Sequence, residues 1–300
     1  MDKNRNIMKT GLVLIGVTLL LSICTILFLR IKEPVFLQHY YEHKMYLKNE
    51  GDLFYSVGLD GPIKLQYVTN ITYDKQVIGI TFKEAPDLYV NASEYQPAIF
   101  SPGMFYSSSD NNTLGTEIGT YSLRTVYLNI NIPIDSVSDQ LELSEAIILF
   151  SGGGQLEVNI GKLILYKDEL SSGNYLMEYS ESSSSFGKSD ISFKLLNDIR
   201  IKTITFLDEL KNYMNLEINN QEYATVNDKE YKKDDTIYIS NTLNPEIIKD
   251  FSFIRFGIYP KLYYENSQGN TYYEPLFRVS NEYYNNPSFL DIIKYVKFNR

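Results

Sequence analysis

The chain has 300 residues, 28 of them basic and 37 acidic, for a net charge of −9, with one cysteine, two histidines, 26 tyrosines and no tryptophan. A surface so acidic repels phosphate backbones, and no basic stripe interleaved with aromatics relieves it, so nucleic acid is excluded as a partner. The length leaves room for one or two domains beyond any membrane segment.

The first element is also the strongest. Gly11 to Leu29 gives nineteen consecutive uncharged positions. At about 1.5 Å per residue, a helix of that length nearly spans a hydrocarbon core of about 30 Å. Lys3, Arg5 and Lys9 precede it, as in a secretory signal, but the apolar run is too long and no small-x-small cleavage site ends it. Residues 11–31 are read as an uncleaved signal anchor in contact with the lipid bilayer, and residues 1–10 as a cytoplasmic tail. A lipid on Cys24 fits poorly, because bulky Ile23 precedes it and the apolar run continues to Leu29. Basic residues on both sides make the charge rule nearly a tie. The cysteine inside the membrane stretch tilts the reading toward an extracytoplasmic domain and a single-pass protein of the cell membrane. Thr18, Ser22 and Thr25 gather on one side of this helix and suit a membrane-protein partner.

Residues 32–50 are expected to be a membrane-proximal segment, with Tyr40, Tyr41 and Tyr46 as an interfacial aromatic belt and His39 and His43 in a plain stalk. A zinc pair is the weaker reading of the histidines: a metalloprotease needs glutamate directly after the first histidine, and here the order is H-Y-Y-E-H. Apart from Lys3, Arg5, Lys9, Arg30, Lys32 and Asp2, the chain keeps 23 basic and 36 acidic residues, a net charge of −13 for the outer region.

From Asp52 onward the pattern has period two, which predicts antiparallel strands. Ile63, Leu65 and Tyr67 alternate with polar neighbours, and Val126, Leu128, Ile130 and Ile132 share one face. Arg124, on that same parity, is expected where the strand emerges into water. Leu141 to Phe150 and Leu156 to Ile160 form a hairpin through Gly152–Gly154, and Gly161 predicts a bulge. Serine-rich stretches near 171–173 and 180–187 suggest a boundary, giving a first β domain over 51–170 and a second over 171–300. Strands are expected again at Ile191–Leu195, Ile199–Phe206, Leu216–Ile218 and Thr236–Ile239. Phe206, Leu207, Leu210, Tyr213 and Met214 have helical spacing, and Ser288 with Asp291 can cap a C-terminal helix. The last hairpin runs from Phe251–Tyr264 into Tyr272–Val279; alternation turns Tyr273, Phe277 and Val279 inward and Tyr272, Glu274 and Arg278 outward. Pro275 requires an edge strand or a bulge, and a bulge reverses the parity before it.

Catalytic motifs are weak. Ser185–Lys188 matches S-x-x-K, but its companion K-T-G occurs only at Lys9–Gly11, across the anchor. Asp110, Asn111, Asn112 and Gly115 resemble a calcium loop, yet Leu114 and Tyr121 stand where oxygen ligands are needed. Asp228, Glu230, Asp234 and Asp235 are read as a solvated acidic loop. The sequence therefore predicts a mainly β protein: an N-terminal transmembrane helix followed by one or two antiparallel β-sandwich-like domains. It assigns no catalytic residue, no metal and no cofactor. The expected function is a membrane-anchored extracytoplasmic binding module, with Tyr272 and Arg278 as binding residues; the alternative is a carboxylate-dependent hydrolase acting on glycan.

Overall fold

A computed structural model of the chain describes residues 2–49, 55–59, 63–95, 114–133, 140–167, 175–183, 188–207, 211, 213–223, 226, 228–243, 252–280 and 286–298. Helix α1 spans Asp2–Leu29, and Met8–Leu29 within it is long and apolar enough to cross a membrane, with its side chains exposed up to the last turn, where the chain meets the β domain. The first half then supplies β1 (Val35–Phe36), β2 (Gln38–Asn49), β3 (Tyr55–Leu59), β4 (Ile63–Asn70), β5 (Val77–Phe82), β6 (Tyr89–Ser93), β7 (Thr116–Ile118), β8 (Tyr121–Pro133), β9 (Gln140–Phe150) and β10 (Gln155–Lys167). The second half supplies β11 (Leu176–Ser183), β12 (Lys188–Leu195), β13 (Ile199–Ile204), β14 (Met214–Ile218), β15 (Gln221–Glu222), β16 (Glu230–Tyr231), β17 (Thr236–Leu243), β18 (Ile254–Ile258), β19 (Lys261–Asn266), β20 (Thr271–Pro275) and β21 (Val279–Ser280), and helix α2 (Phe289–Phe298) follows.

The fold is mostly β, in sandwich-like layers around two main cores. In the first, the alternating apolar faces of β4 and β8 meet those of β5, β9 and β10, and Ile63, Leu65, Tyr67, Leu128, Ile130 and Ile148 are fully buried between them. All these strands belong to one twelve-stranded sheet, ordered β1-β4-β8-β3-β2-β10-β9-β5, with β6, β7, β18 and β21 attached to it. In the second core, a five-stranded sheet (β11-β12-β17-β14-β15) faces a four-stranded one (β16-β13-β19-β20), with Phe193, Ile218, Ile239 and Leu262 between them. Most pairings are antiparallel, as the period-two pattern leads one to expect. The exceptions are at β2, which runs parallel to both β10 and β18.

That exception reshapes the reading of residues 32–50. They carry β1 and β2, and β2 stands inside the large sheet between β3 and β10 rather than in a stalk. Tyr41 is buried in the first core and Tyr40 stacks on Phe256 of the second, ring centroids 5.4 Å apart, so neither belongs to an aromatic belt. Gly161 shows why the parallel pairing needs a glycine. The β9–β10 ladder shifts register between Asn159 and Leu163, φ at Gly161 is +98°, and a Cβ there would lie 2.3 Å from the carbonyl oxygen of His39 on β2. The bulge therefore lets β10 leave one neighbour and meet another.

The chain's end returns to its beginning. β18 pairs with β2, and α2 packs through Ile292 and Val296 onto Ile31, Val35, Leu37, Val68, Tyr121, Leu123 and Phe253, a third core at the exit of α1. Ser288 and Asp291 cap α2 reciprocally, with Asp291 accepting from Ser288 N at 3.0 Å and Ser288 Oγ accepting from Asp291 N at 3.2 Å. Of the expected helix around Phe206–Met214, Leu207 is helical and its carbonyl accepts from Lys211 N at 2.9 Å, while Met214 already opens β14; residues 208–210 and 212 lie outside the described residues.

Candidate binding surface

The C-terminal hairpin is the surface the sequence points to, and its local chemistry explains its shape. Pro260 and Pro275 cannot donate ladder hydrogen bonds, and the chain changes sheets at each. Up to Ile258 it runs beside β2; from Lys261 it joins the four-stranded sheet; after Pro275 it returns, so that Val279 pairs with Ile258. The β19–β20 turn is held by Asn266, whose Oδ1 accepts from Gln268 N at 3.0 Å and Asn270 N at 2.9 Å while its Nδ2 donates to Tyr175 Oη at 2.9 Å. β20 is the last strand of its sheet among the described residues, which meets the edge that Pro275 requires.

The facing of Tyr272 is reversed. Its ring lies against the second core, with centroids 4.9 Å from Tyr175 and 6.0 Å from Tyr264. Leu276 and Phe277 are both buried, so strict alternation ends at Pro275 and the parity carried back from Phe277 does not reach Tyr272. Arg278 is exposed, as expected, and its guanidinium carbon lies 5.9 Å from the ring centre of Tyr259, itself exposed. Sequence reasoning missed Tyr259. Its signal was the proline that follows it, which takes Tyr259 out of strand alternation and frees it to face water.

Two open depressions flank the hairpin turn, of 340 and 370 Å³, and share Asp198, Asn266 and Ser267. Their carboxylates are held by cations. Arg200 pairs with Glu230, Lys232 with Asp198 at 3.1 Å, and Lys202 with Glu265 at 3.8 Å. Hydrogen bonds from Lys233 N and Lys232 keep Asp198 below the ordinary carboxylate range, and Arg200 does the same for Glu230. Both are anions at neutral pH, whereas a glycan hydrolase needs one carboxylic acid of the pair protonated. Glu274 does have a raised pKa, from burial and then from nearby Glu178, but it lines neither depression.

Neither histidine makes a metal site. His39 is fully buried; its Nε2 accepts from Gln66 N at 2.8 Å and its Nδ1 lies 3.3 Å from Ile160 O, so both nitrogens are engaged by the main chain. Among the described residues no three His, Cys, Asp or Glu side chains gather to hold a metal ion. Of the acidic loop, Asp228 binds Lys202 at 2.7 Å, Asp234 binds Lys194 at 3.3 Å, and Asp235 accepts from Lys232 N at 2.8 Å, each turned to its own partner. Ser185–Gly187 and Asp110–Asn112 lie outside the described residues, as does Tyr46's side chain. No protein-family model matches the chain, and no curated protein matches it either.

Two buried ion pairs were not legible as such. Arg124, expected to reach water, is buried with its Nη1 3.6 Å from Glu94 Oε2; it donates to Lys75 O at 3.0 Å and to Tyr73 O. Glu94 Oε1 in turn accepts from Tyr67 Oη and from Val77 N, each at 2.6 Å. The arrangement ties β4, β5 and the end of β6 to β8. Lys261 and Glu42 pair at the seam between the two cores, with Lys261 Nζ 3.5 Å from the ring centre of Tyr166 and Glu42 Oε2 accepting from Tyr259 N at 3.1 Å. These charges are spent within the fold, as buried pairs commonly are.

Proposed function

We propose that the chain is a single-pass membrane protein, anchored by α1 with its N-terminus in the cytoplasm, whose β domain stands outside the cell membrane and binds a partner protein at the C-terminal hairpin. The supporting observation is the combination at one end of the second core: an edge strand, β20, beside the exposed Tyr259–Arg278 pair. An edge strand offers main-chain groups to an extended segment, and tyrosine with arginine gives such a segment aromatic area and a cation. The binding residues are therefore Arg278 and Tyr259, with Tyr272 supporting the strand from beneath. Within α1, Thr18, Ser22 and Thr25 donate to carbonyls of their own helix at 2.8 to 3.1 Å, which suits a lone tether as well as a helix that meets a membrane partner. The hydrolase reading is the weaker one, because the carboxylates of the two depressions are ion-paired.

The test is a photo-crosslinking amino acid at Thr271 or Arg278, compared with one at Glu181 on β11, an end strand of the five-stranded sheet. Crosslinks to one defined protein from the hairpin positions alone, abolished by Tyr259→Ser with Arg278→Ser while the melting temperature holds within a few degrees, are expected. Equal crosslinking from β11, or none from the hairpin, would move the surface elsewhere.

A further inference from the structure

The way the domain meets α1 carries an inference that rests on the reading of α1 as a membrane anchor and goes beyond it. No free linker separates the helix from the domain. Leu29 O accepts from Tyr121 Oη at 2.7 Å, and Ile31, already buried, exchanges two hydrogen bonds with the Asn70 side chain, at 2.9 and 2.6 Å. Helix α2 is tied to the same point at both of its ends. Near its C-terminus, Lys297 Nζ donates to Arg30 O at 3.0 Å and lies 5.7 Å from the ring centre of Phe28, beside the last apolar turn of α1. At its N-terminus, the Phe289 ring stacks on Tyr121, the residue bound to Leu29, with centroids 5.6 Å apart. A ten-residue helix is about 15 Å long, so holding both ends at one exit lays it across that exit rather than away from it.

The side chains that α2 leaves uncovered have the character of a membrane interface. Ile292 and Val296 are buried in the third core, while Leu290, 66% exposed, shares one stripe at i, i+4, i+7 spacing with exposed Lys294 and, at its edge, half-buried Lys297. Ile71, 41% exposed, stands next to Asn70 at the same exit. Arg30 and Lys32 add exposed cations to Lys294 and Lys297. Of the nearby acids, Asp291 is engaged by Ser288 as the helix cap, Glu33 lines a depression with Lys32 and Tyr73, and Glu117 is exposed beside Ile118. Four cations, Arg30, Lys32, Lys294 and Lys297, thus gather at this end of a chain of net charge −9. An apolar residue flanked by lysines, held at the depth where an apolar helix leaves the hydrocarbon, matches an interfacial helix whose lysines reach up to the headgroups.

We infer that α2 is a membrane seat: it lies in the headgroup layer of the bilayer that α1 crosses, with Leu290 and Ile71 entering the acyl boundary and Lys294 on anionic headgroups, fixing the orientation of the β domain on the membrane. The occupant of this face is the bilayer surface itself, identified by its continuity with α1 and by the sign of the charge.

The native cysteine makes the test self-controlled, because Cys24 lies within α1. Three single-cysteine forms of the full chain are labelled with a fluorophore in bilayers of phosphatidylcholine and phosphatidylglycerol: the native Cys24 form, Cys24→Ser with Leu290→Cys, and Cys24→Ser with Gln268→Cys at the hairpin turn. Lipids carrying a nitroxide deep in the acyl chain should quench the Cys24 label, those carrying it near the headgroup should quench most of the Leu290 label, and neither should quench the Gln268 label. A Leu290 label as bright as that at Gln268, with Cys24 still quenched, would overturn the seat and leave the anchor standing. An unquenched Cys24 would overturn the anchor and the seat together. Equal shallow quenching at Gln268 would show that the whole domain lies on the surface, with α2 nothing special. Leu290 quenching should also fall in phosphatidylcholine alone and in Lys294→Glu; no change in either would overturn the role given to anionic headgroups.

Discussion

Arg124 and Glu94 meet inside the first core with their side chains 5% and 2% exposed, whereas Arg200 and Glu230 meet at the rim of a hairpin depression with about half of each side chain in water. The residue types are the same and the sequence gives both pairs equal standing. Burial decides what each is worth. In the core, either charge alone is stranded where water cannot reach it, so the pair is needed once either member is present. At the rim, water and salt replace a lost partner at little cost.

The comparison breaks first, if it breaks, at Arg124. Arg124→Leu removes a cation that also satisfies the carbonyls of Tyr73 and Lys75, leaving Glu94 with only Tyr67 and Val77 as donors. A loss of about 3–5 kcal/mol is expected in denaturant unfolding of the purified chain. Replacing both partners, Arg124→Leu with Glu94→Leu, should cost less than Arg124→Leu alone, since no buried charge is then stranded. A double variant as unstable as the two single losses combined would mean the two side chains are not coupled.

His39 sharpens the point, because among the described residues it is buried with main-chain partners and no anion beside it. Burial first, and then the charge of Arg255, lower its pKa from 6.5 to about 3. The unfolded chain therefore takes up a proton at a pH where the folded one does not. Stability from this residue is complete above about pH 6.5 and is lost progressively as the pH falls toward about 3. Between about pH 7 and about pH 5 the loss is about 2 kcal/mol. His39→Gln, which cannot take up that proton, should flatten the slope of stability against pH over this interval, whatever its cost at neutral pH. An unaltered slope would show that His39 is not the group titrating.

Such differences mark what the sequence could disclose. The β9–β10 hairpin and the bulge at Gly161 are local, set by neighbours within a few positions, and both were legible. Arg124 was legible as to face, since it shares parity with Val126 and Leu128; what hid its burial was a partner thirty residues away, Glu94. β2 was illegible for a related reason. Its run of histidines and tyrosines resembles a polar stalk, yet it is covered by β10 and β18, more than a hundred residues distant, which supply main-chain partners for its polar groups. Tyr272 failed where alternation was carried across Pro275, and Tyr259 was overlooked because Pro260 had already ended alternation there. The Tyr259–Arg278 pair and the seat on α2 both depend on such returns of the chain, so the candidate surfaces were less legible than the strands that build them.

The smallest expected effect closes the comparison from the exposed side. Arg200 and Glu230 stand opposite each other in the β13–β16 pairing, and Lys232 also lies 4.0 Å from Glu230. Their mutual hydrogen bond raises the pKa of Arg200 and lowers that of Glu230, which gives an impression of strength. Both groups, however, remain hydrated, and ordering two long side chains in one geometry offsets much of the attraction. Arg200→Ala should therefore leave the melting temperature where it was, at low and at high salt, because Glu230 keeps Lys232 nearby and water around it. A marked drop at low salt that disappears at high salt would instead identify the ring of Arg200, Glu230, Lys232 and Asp198 as a cooperative network. The contrast with Arg124 would then rest on the number of linked charges rather than on burial.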